Sequence, residues 1–323
     1  MKMKKLIKLT RQDDFVSIAL AVFMVLLLTA TSNIFWSASN IQSLAYSVSR
    51  TAIVSFGMML IMITGYFDLS VGNIMLLCSL STAALIFVGV PSAAAALLGL
   101  LIGVAAGALN GFLVAICGIN ALIATVGTQY IFYGLAMRIW ETAKQAKHLP
   151  EELCRISSDR FLGMEYYVWV ALILLVVFTV YLRYTRSGRQ LYYIGGNKEA
   201  ARQMGYALKK KVFLAYAVMG LLGAVSGIFM MARIKNPSQN IGTDMHMTCI
   251  IACIVGGGSF AGGKGKATGA LFGTIFISLL SNMFNLWEVK AMFQNFTLGL
   301  VLIAVLTLDG WLNIRRLRNL GKI

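Results

Sequence analysis

The stretch from Gly258 to Lys264 fits G-x-x-x-x-G-K, a spacing that lets backbone amides cradle a phosphate. The next residue is Gly265, where a phosphate loop needs Ser or Thr to hold magnesium. The segment also joins two apolar runs rather than a strand and a helix. A tight glycine turn is therefore expected there, and nucleotide hydrolysis by this chain is not. Metal chemistry is no better supplied. His148 and His246 are the two histidines, and neither has carboxylate or Cys neighbours at ligand spacing. Cys78, Cys117, Cys154, Cys249 and Cys253 make no zinc-like cluster, and a disulfide framework is not expected. No nucleophile–base pair is legible. The chain does not read as an enzyme, and no catalytic residue, cofactor or metal ion is expected.

The elements that carry these residues are set by hydropathy. The chain has 323 residues, 59% of them hydrophobic and 12% charged. Soluble domains usually carry about 25% charged residues. The apolar runs are long enough to cross a roughly 30 Å hydrocarbon layer as helices, which satisfy their own backbone groups in lipid. The expected fold is all-α, a polytopic membrane protein with about ten transmembrane helices. The spans run over 15–34, 43–65, 72–90, 92–116, 121–139, 166–183, 212–232, 245–259, 267–285 and 292–310. Two halves, 43–140 and 212–310, hold four spans each and begin on opposite sides, which is the arithmetic of an inverted repeat. The whole chain, 1–323, reads as one transmembrane domain, with a polar loop over 184–211 and a second over 140–165.

The net charge of +16 is a topology signal. With the N-terminus inside, nineteen of the 28 Lys and Arg fall in cytoplasmic segments, as the positive-inside rule requires. Both termini are then cytoplasmic, the positive charge meets anionic lipid of the bilayer, and no nucleic acid partner is expected. The 140–165 loop mixes both signs of charge. It reads either as a solvated loop or as an external docking surface.

Between the sixth and seventh spans lies Gly195-Gly196-Asn197-Lys198-Glu199-Ala200-Ala201-Arg202-Gln203-Met204-Gly205. Asn197 is a good N-cap, Glu199 suits a first turn, and Gly205 can end the helix. Two turns of helix are marginal alone, so packing must hold them, against this chain or a partner. Glu199 and Arg202 share a face and can pair with each other or with that partner.

This segment resembles the G-x-N-x-E-A-A-x-x-x-G loop by which permeases of ribose- and galactose-type ATP-binding-cassette importers contact their ATPase. The residues that match are Gly195, Gly196, Asn197, Glu199, Ala200, Ala201, Arg202 and Gly205. A second similarity is Thr64-Gly65-Tyr66-Phe67-Asp68-Leu69-Ser70-Val71-Gly72, where Tyr66 and Phe67 depart from the family pattern and Asp68 to Gly72 follow it. A third is Gly256-Gly257-Gly258-Ser259-Phe260-Ala261-Gly262-Gly263-Lys264-Gly265. The family often has an acidic residue at the start of the run before this turn, where this chain has His246. The resemblance spans nearly the whole chain. It implies a permease of the bacterial inner membrane, working with cytoplasmic ATPase subunits, a second permease subunit in a homodimer or heterodimer, and an external solute-binding protein. The solute implied is a neutral monosaccharide such as ribose, or a furanosyl signalling molecule of the autoinducer-2 type. An ion-coupled secondary transporter is the alternative of a different class. It would need ionisable residues in mid-membrane, which are scarce apart from Arg50 and Asp68.

Asp68, followed by Leu69, Ser70 and Gly72, reads as a cap on the next span or as a gating residue. Gly257, Ser259, Gly262 and Gly263 carry the corresponding turn motif. Gly99, Gly103, Gly107 and Gly111 form a small-residue stripe, as do Gly265, Gly269 and Gly273, for tight packing or for sliding. Asn120, Thr125 and Gln129, and Thr274, Ser278 and Asn282, form two neutral polar lines. They read either as a path for an uncharged hydroxylated solute or as glue between helices.

Overall fold

The computed structural model describes residues 15–310 apart from 147, 291, 295, 302, 305, 306, 308 and 309. The basic N-terminal and C-terminal residues invoked for orientation lie outside them. The helices are α1 (Phe15–Thr31), α2 (Ala38–Ile63), α3 (Val71–Phe87), α4 (Ser92–Gly111) with a π-helical turn at Phe112–Ile116, and α5 (Ala121–Ala143). They continue with α6 (Glu151–Ser158), α7 (Tyr166–Tyr184), α8 (Arg186–Gly196), α9 (Lys198–Gln203), α10 (Leu208–Ile234), α11 (Met245–Val255) and α12 (Ala267–Leu286). The residues described within the tenth expected span, 292–310, are helical.

The all-α polytopic reading holds. Among the described residues, five helices are long and apolar enough to cross a membrane: α2, α4 with its π turn, α7, α10 and α12. α2 is the interior helix, with every residue from Thr51 to Thr64 buried. Its small and apolar residues run all round the axis, as suits a helix with no exposed face. α7 is its opposite, with few of its residues buried. α2 starts five residues before expectation because the Ser37 hydroxyl accepts the Asn40 N–H at 3.3 Å and caps it.

α11 is shorter than expected. Its 11 residues cover only about 16 Å. Gly256 and Gly257, the latter at φ +84°, stop it, so 256–259 belong to a turn rather than to the span. Gly265 likewise lies in this turn, outside the α12 stripe to which it was assigned.

Two parts of the chain share one arrangement. A long helix, α2 or α10, leads through an irregular segment, 64–70 or 235–244, into a shorter one, α3 or α11. α4 then packs on α10, while α12 packs on α2. Each part thus lays its third helix on the other part's first. In α4, Gly107 sits against Gly220 of α10, each without room for a β-carbon.

The 140–165 segment is more than a loop. It holds α6 and a two-residue antiparallel ladder of β1 (Arg160–Phe161) and β2 (Met164–Glu165). Buried Glu165 accepts two bonds from Arg233, at 3.0 and 3.1 Å, and a third from the Tyr167 hydroxyl. This ties the start of α7 to the end of α10.

Candidate functional site

Thr185 caps the start of α8, its hydroxyl accepting the Gly188 N–H at 2.9 Å. After it, the Asn197 side chain accepts the Ala200 N–H at 3.0 Å and starts α9. Gly205 takes φ +76°, and the Tyr206 N–H returns to the Ala201 carbonyl at 3.1 Å, the closing bond of a Schellman turn. Only Ala201 of this helix is buried. Lys198, Glu199 and Arg202 stand exposed, and Glu199 pairs with Arg202 at 3.0 Å. A pair so exposed contributes little to stability. α9 therefore presents charge outward on a short, capped peg.

The three sequence signatures meet beneath that peg. Gly195 has no room for a β-carbon, because the Ile63 carbonyl oxygen occupies the place and the Gly263 nitrogen stands 2.5 Å from it. That carbonyl accepts the Gly263 N–H at 2.8 Å. Gly262, at φ +81°, lies with its own β position 2.8 Å from the Gly65 α-carbon. The end of α2, the end of α8 and the glycine turn are thus in backbone contact. Both departures from the family pattern find partners here. The Lys198 ammonium sits 3.8 Å above the Tyr66 ring, and Phe67 meets Phe260 edge-on at 5.5 Å. Tyr192 donates to the Gly265 carbonyl at 2.8 Å, and burial pushes its hydroxyl up to about 12, so it stays a donor at neutral pH.

Asp68 is fully buried. It accepts the Ser70 N–H and the Ser70 hydroxyl, both at 2.7 Å, so it fixes the residue before α3 rather than the N–H groups of that helix. Leu69 packs against the core beside it. The Asn110 side chain donates to the Ser70 hydroxyl at 2.7 Å and to the other Asp68 oxygen at 3.4 Å. Thr128 donates to Asn110 at 2.6 Å. A buried polar chain thus runs from α5 through α4 to the α2–α3 connection. Asn110 and Thr128 were missed from sequence. The signal was there: a lone Asn in the small-residue stripe, and a Thr one turn beyond Thr125.

Gly72, at the start of α3, and Gly242 approach so closely that neither has room for a β-carbon beside the other's carbonyl oxygen. Next to them is a cavity of about 310 Å3 whose polar lining includes Asn73, Gln129, Gln239, Thr243, Asp244 and His246. The Asn73 side chain donates to the Gln129 carbonyl at 2.9 Å and ties α3 to α5. Asp244 sits at the start of α11 with φ +56°, two residues before His246. An acid therefore stands at this helix end, offset from the position where it was sought.

The polar lines divide. Gln129 lines this cavity. Asn120 caps α5 through the Leu122 N–H at 2.9 Å, and Thr125 spends its hydroxyl on Ala121 at 2.7 Å. Thr274 bonds Ser55 at 3.2 Å, and Asn282 pairs reciprocally with Asn40 at 2.7 and 3.3 Å, while Ser278 is buried on the same helix. Thr274 and Asn282 fasten α12 to α2. In the turn, Gly257 stops α11, and the Ser259 hydroxyl accepts the Ala261 N–H at 3.3 Å. Among the described residues, no group of three or more His, Cys, Asp or Glu could hold a metal ion.

Residues 40–306 match the family described as the branched-chain amino acid transport system / permease component. The chain is similar to the autoinducer 2 import system permease protein LsrC of Escherichia coli K12 / DH10B, 32% identical over 98% of this chain and 93% of the relative. Its similarity to LsrC of Enterobacter sp. strain 638 is 34% over 95% and 89%. To LsrC of Salmonella typhi it is 31% over 93% and 86%. No solved structure matches the chain.

Proposed function

Since this chain belongs to the permease-component family and is a multi-pass inner-membrane subunit of an ATP-binding-cassette importer, we propose that α9 is the element by which a separate ATPase drives it. The observation that carries this is the backbone contact of Ile63, Gly195 and Gly263 directly behind an exposed, capped helix. A partner that grips Glu199 and Arg202 and pulls α9 also pulls the α2–α3 connection and the glycine turn. Asp68 and Ser70, linked to Asn110 and Thr128, then pass the movement to α4 and α5. The whole chain acts as one translocation domain, with 184–211 as its coupling loop and both termini cytoplasmic. It pairs with a second permease subunit, and a solute-binding protein docks on the opposite face around 140–165.

The cavity beside Gly72 and Gly242 is the part of the path that we assign to solute. Its amides, hydroxyl, imidazole and single carboxylate suit a small neutral polyol better than a charged solute. A neutral monosaccharide fits this lining. The names of the relatives favour a furanosyl signalling molecule as the second reading. An ion-coupled carrier is set aside by family membership.

The test is uptake of labelled ribose, other monosaccharides and a furanosyl signalling molecule into liposomes that hold this chain, its ATPase and its binding protein. Uptake should need ATP and both partners, and Glu199→Ala should lower it. Uptake that persists without either partner would overturn the proposal.

A further inference from the structure

The cavity beside Gly72 and Gly242, of about 310 Å3, is at the small end of the roughly 300–1,000 Å3 of small-molecule sites. Two kinds of group line it. α5 contributes Tyr130 and Tyr133, one turn apart, together with Gln129. The irregular segment before α11 and the first residues of that helix contribute Gln239, Asp244 and His246. Tyr130 is 71% exposed and Tyr133 47%, and neither ring has an aromatic or cationic partner among the described residues. Nor does a hydrogen bond or ion pair with those residues occupy the side-chain amides of Gln129 and Gln239, the Asp244 carboxylate or the His246 imidazole. Helix packing spends such groups, as it spends Thr274 and Asn282. Around this cavity they are left over.

We propose that Tyr130 and Tyr133 are specificity-determining residues of this cavity, and that they select solutes in the closed-ring form of a sugar. The inference rests on the reading of the cavity as part of the solute path and deepens it. A closed sugar ring carries C–H bonds on its faces and hydroxyls around its rim. The C–H face is apolar and weakly positive, and it suits the negative face of a phenol ring. The rim hydroxyls then meet the Asp244 carboxylate, whose two oxygens accept, and the amides of Gln129 and Gln239, which both donate and accept. An open-chain polyol with the same carbon skeleton offers no such face. Laid on the two rings, its hydroxyls give up water without gaining a partner. Both solutes are neutral and rich in hydroxyls, so hydrogen bonding alone separates them poorly. The aromatic wall is what separates them.

The experiment uses the full-length permease purified in detergent. Saturation-transfer NMR reads its contact with ribose and galactose, and with their open-chain counterparts ribitol and galactitol. Transfer to the ring sugars should exceed transfer to the open chains and be strongest at the C–H protons of one ring face. The double change Tyr130→Leu and Tyr133→Leu should remove that preference and weaken ring-sugar binding by roughly threefold to tenfold, the range of an aromatic contact. Tyr130→Phe with Tyr133→Phe keeps both rings and should restore it. The thermal unfolding midpoint of the leucine variant should stay where it was, since the rings are exposed. Full preference in the leucine variant, while Asp244→Asn weakens ring-sugar binding, would overturn the role of the tyrosines and leave the cavity as the path. Unaltered binding by the leucine variant, Asp244→Asn and Gln129→Ala alike, or no transfer from the unaltered permease, would overturn the path reading and this inference with it. A lowered midpoint, or a permease pair that separates on size exclusion in the leucine variant, would assign the rings to packing instead.

Discussion

Gly195 stands against Ile63 with the carbonyl oxygen of Ile63 in the place a β-carbon would occupy, and the same oxygen accepts the Gly263 N–H at 2.8 Å. The joint between the coupling segment and the rest of the bundle is therefore made of backbone. It can transmit a pull without a side-chain rotamer to absorb it. The neighbouring Gly196 is different: a β-carbon there would meet nothing within 4 Å.

Two adjacent glycines should thus behave differently. Gly195→Ala forces the joint apart and should cost about 1–3 kcal/mol, as overpacking does. In proteoliposomes we expect ATP-driven uptake to fall steeply while ATPase subunits still bind. Gly196→Ala should transport nearly as the unaltered chain does. Equal uptake by the two variants would show that the joint carries no movement.

Phe67, one of the two departures from the family pattern, touches Phe260 edge-on. Phe67→Leu and Phe260→Leu should therefore be non-additive. A double-mutant cycle on thermal stability should give a coupling of about 0.5–1.5 kcal/mol. Additive losses would mean that the ring contact contributes nothing beyond burial.

The buried chain from Thr128 to Asp68 depends on Asn110, which both donates and accepts. Asn110→Leu leaves Ser70 and Asp68 short of a partner, at a cost of about 1–3 kcal/mol for each buried group left unmade, while the Thr128 hydroxyl keeps the Thr125 carbonyl at 3.2 Å. Thr128→Val removes one donor and should cost about 1 kcal/mol. Midpoints of thermal unfolding in detergent check both. Asn110→Leu at the stability of the unaltered chain would show that water or another group already serves Asp68.

Much of this was legible beforehand because hydropathy and glycine act locally. The apolar runs placed the described spanning helices, and Asn197 and Gly205 placed both ends of α9. The glycine turn also reads directly, since four of its residues, Gly257, Gly262, Gly263 and Gly265, take positive φ. What sequence did not give was partnership across distance. Asn282 and Gln129 look alike as polar residues on apolar helices, yet Asn282 is spent on Asn40, 242 residues away, while Gln129 faces a cavity. Hydrogen-bond partners that far apart leave no periodicity to read. Asp244 was passed over for a different reason. The acid was sought at 246, and a left-handed backbone at 244 gave no sign of the helix start.

The same contrast separates path from glue by experiment. Gln129→Ala and Asp244→Asn change groups on the cavity wall, and Asp244 is exposed. Their loss should leave folding intact and raise the solute concentration for half-maximal uptake, or shift preference among monosaccharides, by about tenfold for one lost hydrogen bond to a polar solute. Asn282→Leu and Thr274→Val remove bonds between α12 and α2. They should lower the unfolding midpoint while preference among solutes stays as it was. The assignment rests on this crossing of effects. If Asn282→Leu changed solute preference and Gln129→Ala did not, the path would run between α2 and α12 instead. The cavity at Gly72 and Gly242 would then be only the gap left where two irregular segments meet.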